Sequence, residues 1–152
     1  MGRVADLLAA LRPGPVGLDS AIFIYFIERH ATYRPLVRPV FEAIDEARLP
    51  GVTSALTLLE TLVKPLRSGN AEMAERYEEL LTTSRGLALV PIDLPLLRLA
   101  AELRAEHRLR TPDALQLAAA VAAGCTAFLT NDRRFPSLPS LRVLQLTDYQ
   151  QL

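Results

Sequence analysis

The stretch Arg108–Asp132, RLRTPDALQLAAAVAAGCTAFLTND, decides the fold. Between Ala114 and Gly124 its only polar side chain is Gln116. Such a run predicts a buried helix. Thr111 opens it, with Pro112 at the first helical position, where a proline loses no hydrogen bond. Gly124 stops it. The apolar TAFLTND that follows reads as a strand. Helix and strand each carry an acid at one end. Asp113 lies in the first helical turn, where the helix dipole favours a negative charge. Asp132 closes the strand. Acids at both ends of a segment built for burial call for an explanation from the rest of the chain.

The same grammar repeats outward. PVGLD is a strand ending at Asp19, followed by an apolar helix to about Glu28. Thr32 is placed to cap a helix over YRPLVRPVFEAIDEARL, with Val37, Val40, Phe41 and Ile44 on one face. PGVTS is a second strand, and Ser54 caps the helix ALTLLETLVKPLR, which Pro65 kinks or ends. Asn70 caps AEMAERYEELLTTS. GLALVPI is a third strand, and Asp93 caps LPLLRLAAELRAEHRL. LRVLQL is a fifth strand after TAFLTND. Short strands, apolar on both faces and separated by helices, predict an α/β protein with a parallel sheet between helical layers.

At 152 residues the chain is expected to form one domain with a substantial core. No apolar run approaches the roughly 18 residues that span a bilayer. The opening MGRVADLLAALRPG (1–14) reads as a helical extension, not a signal peptide, and is expected to be a passive appendage. No membrane association and a cytoplasmic location follow as expectations. The 17 basic and 17 acidic residues cancel, which excludes a protein that coats nucleic acid by net charge. Two histidines, His30 and His107, and one cysteine, Cys125, cannot build a structural zinc site, so any metal must be held by oxygen.

In open parallel sheets, ligands bind at the carboxyl ends of the strands, where strand order reverses. The acids that reach that edge are Asp19, Glu60, Asp113 and Asp132. Each has a plain reading: Asp19 as a helix cap, Glu60 on an amphipathic helix face, Asp113 as a dipole partner and Asp132 as a turn residue. Together they would repel one another at an apolar edge unless a cation joined them. Carboxylate oxygens without nitrogen or sulfur select Mg²⁺ or Mn²⁺. Such an ion beside a phosphate points to metal-assisted phosphodiester hydrolysis.

The residues that carry this reading resemble the PIN-domain ribonuclease family, and within it the VapC-like toxins of toxin–antitoxin pairs. The likeness runs from Val16 to about Leu146 through GLDSAIFIYFIE, TSALTLLETLV, TPDALQLAAAVAAGCTAFLTNDRRF and a final short strand, in that order. It implies a three-layer α/β/α sandwich on a five-stranded parallel sheet and a Mg²⁺- or Mn²⁺-dependent endoribonuclease. It implies an RNA substrate, a cognate antitoxin and a homodimer. It makes Asp19 and Asp113 direct metal ligands, with Glu60 and Asp132 completing the pocket. Ser20, Thr130 and Asn131 would orient those acids. Arg133 and Arg134, with Lys64 and Arg67, would meet the phosphate backbone. Many relatives carry a further acid just before the phenylalanine of TNDRRF; Arg134 stands there in this chain.

Other functions compete. A phosphoryl-accepting receiver would need a lysine at the end of a late strand, and the only lysine is Lys64. An aspartyl-nucleophile phosphatase would need an acid two residues after Asp19, where Ala21 stands and apolar Ile22 follows. A catalytically silent scaffold is disfavoured by four intact acids. A housekeeping RNA-processing nuclease would share the same site as a toxin. The segment IFIYF is too apolar to face water and is expected to be covered by a second chain, with Tyr25 and Phe26 in the core or at that interface.

Overall fold

The computed structural model describes residues 2–150. Met1 of the expected extension, and Gln151 and Leu152, lie outside the described residues. Five strands form one sheet: β1 (Val16–Leu18), β2 (Gly51–Ser54), β3 (Leu87–Val90), β4 (Ala127–Thr130) and β5 (Arg142–Gln145). The order is β3-β2-β1-β4-β5, and every pairing is parallel. Seven helices flank it: α1 (Gly2–Leu11), α2 (Ser20–Ile27), α3 (Arg34–Asp45), α4 (Leu56–Arg67), α5 (Ala71–Thr83), α6 (Leu94–His107) and α7 (Thr111–Ala122). A 3-10 turn over Leu146–Tyr149 follows β5. The expected α/β/α sandwich on a five-stranded parallel sheet is the observed architecture.

Side-chain alternation along the strands divides the core in two. Val16, Leu18, Ala127 and Leu129 face a cluster built with α1, α2 and α3. Val52 and Phe128 face the other side, where they meet α6 and α7. The alanines of α7 let that helix lie close to the sheet. Gly17 completes the fit: a Cβ there would stand 2.8 Å from Phe128 and 2.9 Å from Ala120. Burial of α7 is as its sequence predicts, with Ala114 through Ala120 all buried, Gln116 included. Gly124 ends it with φ +72°, and the Cys125 N–H returns to the Ala120 carbonyl at 2.9 Å.

Asn70 and Asp93 cap their helices as predicted, accepting from the N–H groups of Met73 and Leu96. Ser54 accepts from the Leu56 N–H at the start of α4. Thr32 does not cap α3. The helix begins at Arg34 with no side-chain cap, and His30 Nδ1 accepts from the N–H groups of Thr32 and Tyr33, both at 3.2 Å, in the turn that precedes it. Pro65 neither starts nor stops a helix; α4 continues to Arg67, so the missing donor is absorbed in its last turn.

Two further expectations are corrected. The N-terminal helix is no passive appendage, because Leu7 and Leu11 are fully buried in the first core cluster and Arg142 donates to the Ala10 carbonyl at 2.7 Å. And IFIYF is not left open. Ile22, Phe23 and Ile27 are buried, while Phe26 stacks on Phe41 and receives the Arg34 guanidinium. The open apolar surface lies elsewhere: on α4 at Leu59 (61% exposed), Val63 and Leu66 (63%), and near the start of α6 at Ile92, Leu94 (80%) and Leu97. A helix can turn a whole stripe outward while its mean hydropathy stays modest, which is why α4 is unremarkable in sequence and α2 is not. Among the described residues no helix is long and apolar enough to cross a membrane.

Candidate functional site

The chain leaves β1 for β2 and β3 on one side, then returns to place β4 and β5 on the other. The reversal of strand order therefore falls between β1 and β4, and the carboxyl ends of those strands define the cleft. Asp19 ends β1 and is locked there. Its backbone N–H donates to the Leu129 carbonyl at 3.0 Å, and its Oδ1 accepts from the Ser20 N–H at 2.9 Å as the cap of α2. The Thr130 hydroxyl, from the end of β4, donates to Asp19 Oδ2 at 2.7 Å. The same hydroxyl oxygen accepts from the Asp132 N–H at 3.1 Å. One threonine thus ties the two strand ends and two of the acids together.

Glu60 stands on the second turn of α4, outside the lining of the cleft at Asp19 but close enough for its charge to act on that carboxyl. Its Oε1 accepts from the side-chain amide of Gln116 at 3.3 Å. That amide also donates to Thr57 Oγ1 at 2.8 Å; Thr57 and Thr53 share a hydrogen bond of 2.7 Å, and Thr53 donates to the Leu18 carbonyl, the residue before Asp19. A buried chain of polar groups therefore runs from the root of Asp19 to Glu60. Sequence reasoning missed Gln116, Thr57 and Thr53 as site residues. The signal was present, since a lone glutamine in an otherwise apolar buried helix must meet a polar partner. The Gln116 Oε1 has no such partner.

Asp113, at the start of α7, is only 8% exposed. Arg110 meets it with Nε on Oδ2 at 2.9 Å and Nη2 on Oδ1 at 3.2 Å. Asp132 is held by Arg134, whose backbone N–H, Nε and Nη2 all donate to its carboxylate, the shortest at 2.7 Å. Asn131 acts mainly in the turn: its Oδ1 accepts from the Thr147 N–H at 2.9 Å, and its amide reaches the Tyr25 hydroxyl at 3.4 Å. Ser20 contributes its backbone N–H to Asp19. The remaining candidate bases form no ion pair with these four acids. Arg133 pairs with Asp148 at 2.9 Å and Lys64 with Glu28 at 3.3 Å. Arg67 ends α4, roughly 10 Å along the helix axis from Glu60.

The electrostatics separate these acids. Burial pushes the Asp19 carboxyl up to about 6, against the opposing pull of its bonds from Thr130 and Ser20, and the charges of Glu60 and then Asp113 add to the rise. The hydrogen bonds from Arg134 hold the Asp132 carboxyl below the usual range. A cleft of about 350 Å³ opens here, lined by Asp19, Ala21, Tyr25, Asn131, Asp132, Arg133 and Arg134. A larger cavity of about 600 Å³ lies between α6 and α7, but no acid lines it.

The donor set in the cleft is entirely oxygen, and Asp19 stands desolvated beside two other acids. That composition fits a hard divalent cation. Among the described residues, however, no three acidic, histidine or cysteine side chains are drawn close enough to enclose an ion. Two of the four acids are turned onto arginines instead.

The comparisons with known proteins agree with the fold. No curated protein sequence is significantly similar to the chain. Several solved structures share its fold. A chain of VapBC2 from Rickettsia felis, solved bound to a DNA fragment from its promoter, superposes with a TM-score of 0.67 at 18% identity, covering 86% of this chain and 97% of that one. A toxin–antitoxin complex from Klebsiella pneumoniae gives 0.64 at 20%, covering 83% and 93%. DNA-bound VapBC from Salmonella typhimurium gives 0.61 at 19%, covering 86% and 97%. The sequence profile of the PIN domain matches residues 16–141. Since that match spans most of the sequence, from the first strand to the threshold of the last, the chain belongs to the PIN domain family, whose members are in general nucleases.

Proposed function

We propose that this protein is a Mg²⁺- or Mn²⁺-dependent endoribonuclease, the toxin of a type II toxin–antitoxin pair, acting in the cytoplasm. The observation that carries the reading is the Asp19 carboxylate. It is desolvated, fixed by Thr130 and Ser20, and coupled to Glu60 and Asp113 at the point where strand order reverses. A fold selected only for stability gains nothing from gathering these charges. Membership of the PIN domain family supports the nuclease activity, and the shared fold with toxin–antitoxin complexes supports the toxin role.

In this proposal Asp19, Glu60, Asp113 and Asp132 hold the cation, and residues 1–152 act as one unit. The ion held there would supply charge to offset that developing on the phosphate and would lower the pKa of the attacking water. The chain's own groups do the rest. Thr130 and Ser20 fix the Asp19 carboxylate, so that little reorganisation remains at the moment of reaction. Gln116 donates to Glu60 and so fixes one carboxylate oxygen, and the other would accept a proton from water. The unused N–H groups of Arg110 and Arg134 face phosphate oxygens, and Arg133 extends that basic rim. The water oxygen bonds to phosphorus as one ester oxygen leaves and takes a proton. An RNA strand, a cognate antitoxin and a second copy of the chain are the partners. The apolar stripes on α4 and α6 are the surfaces open to the protein partners.

The test is direct. Purified protein cuts single-stranded RNA internally with Mg²⁺ or Mn²⁺ and stops with chelator, and its expression arrests growth unless the antitoxin is co-expressed. Cleavage without growth arrest would favour a housekeeping nuclease. No cleavage of any RNA and no divalent-ion binding would leave a silent scaffold.

A further inference from the structure

The four acids are of two kinds. Asp19 and Glu60 have neutral partners: the Thr130 hydroxyl and Ser20 N–H for the first, the Gln116 amide for the second. Asp113 and Asp132 have cationic ones. Arg110 forks the Asp113 carboxylate, and its Nη2 also stands 4.0 Å from Asp132 Oδ2, so it spans the start of α7 and the end of β4. Arg134 forks Asp132 from the other side.

Neither arginine is an incidental surface contact. Asp113 is nearly buried, and an unpaired charge there would be costly. The Arg134 backbone N–H also binds Asp132 Oδ1 at 2.9 Å, so the loop is folded around the acid it neutralises. Both arginine side chains nevertheless remain more than half exposed, and Arg134 lines the cleft. Four carboxylates and two guanidiniums leave a formal charge of about −2, which one divalent ion cancels. That residual charge sits on Asp19 and Glu60, the two acids with neutral partners.

We propose that Arg110 and Arg134 are resident countercations that stand where a second metal ion would: they confine the cleft to one divalent ion, whose charge is met by Asp19 and Glu60, and they compete with it for Asp113 and Asp132. This rests on the metal-site reading given above and deepens it. It accounts for the absence, among the described residues, of any tight three-acid group: the arginines have drawn two members onto themselves. It also gives the arginines a second task, because a guanidinium bound to a carboxylate on one edge presents its other N–H groups to a phosphate.

The experiment is a titration of the full chain with Mn²⁺, read by calorimetry and by the loss of the free-ion electron paramagnetic resonance signal. The wild type binds one ion per chain. The double variant Arg110→Gln and Arg134→Gln binds a second ion, and binds the first at least about tenfold more tightly. Arg38→Gln, which removes an exposed charge paired with Glu42 on α3, changes neither number nor affinity. Two ions in the wild type, an unchanged double variant, or equal tightening by Arg38→Gln would overturn the countercation proposal while leaving the metal site standing. Failure of both wild type and double variant to bind Mn²⁺, or full binding by Asp19→Asn, would overturn the metal site and this proposal with it.

Discussion

Asp19→Asn makes the protein more stable as it removes the activity. The substitution keeps the shape of the side chain and deletes its charge. In the folded protein the Asp19 carboxyl is pushed up to about 6 from the ordinary 3.8. The folded state therefore holds the proton more tightly than the unfolded chain, and stability falls as pH rises from about 4 to about 6, then stays level. A difference of about 2.2 in pKa corresponds to about 3 kcal/mol. Because Asp19 keeps some contact with water, about 1–3 kcal/mol is the expected loss at pH 8. Asparagine cannot ionise and escapes it. In a domain of this size each kcal/mol moves the melting temperature by about 2–4 °C. Melting curves in chelator from pH 4 to 8 should show the variant rising above wild type through that window, with the advantage gone near pH 4. Added Mg²⁺ should raise wild type and not the variant. A variant less stable than wild type at pH 8, or an offset independent of pH, would refute the claim that desolvation and neighbouring charge strain this carboxyl.

Other residues give separate tests. Gln116→Leu removes the donor to Glu60 and Thr57 but also an unpartnered buried oxygen, so stability should change by less than about 1 kcal/mol while RNA cleavage falls about tenfold or more; equal loss of both would make Gln116 a packing residue only. Gly17→Ala forces a methyl group against Phe128 and Ala120, and urea unfolding should show a loss of about 1–3 kcal/mol; an unchanged midpoint would mean that α7 can move off the sheet. Leu59→Asp combined with Leu66→Asp should leave the melting temperature within about 2 °C and abolish self-association by light scattering; an unchanged mass would remove the α4 stripe from the interface.

How much of this was legible beforehand follows the physics of each feature. The α7–β4 segment was readable because a helix of alanine and leucine ending in glycine has few alternatives, and a parallel sheet then followed from the alternation of strands and helices, whereas the strand order came only from the structure. Asp19 and Asp132 could be picked out because charges at the ends of apolar strands are unusual, and Glu60 and Asp113 because they interrupt apolar helical stretches. Their partners could not. Gln116 meets Thr57 from 59 residues away, and no local pattern announces such a pairing. Arg134 looked like a phosphate contact, and only side-chain geometry shows it and Arg110 holding the acids. The roles of α1 and α2 were misjudged for a related reason. Hydropathy says how much apolar surface an element has, and tertiary packing decides which surface it hides. Leu7 and Leu11 are hidden under α3, whereas Leu59 and Leu66 on an ordinary-looking helix are not.

Four acids at the β1–β4 edge are proposed to form a metal-dependent ribonuclease centre. Its most direct test is the rate of RNA cleavage by wild type, Asp19→Asn and Asp113→Asn over a range of Mg²⁺ and Mn²⁺, with folding verified by circular dichroism. The account predicts metal-dependent cleavage by wild type, loss on chelation, and a fall of at least about 100-fold in each folded variant, on the scale of losing one preorganised charged group. Cleavage by both folded variants at the wild-type rate would contradict it.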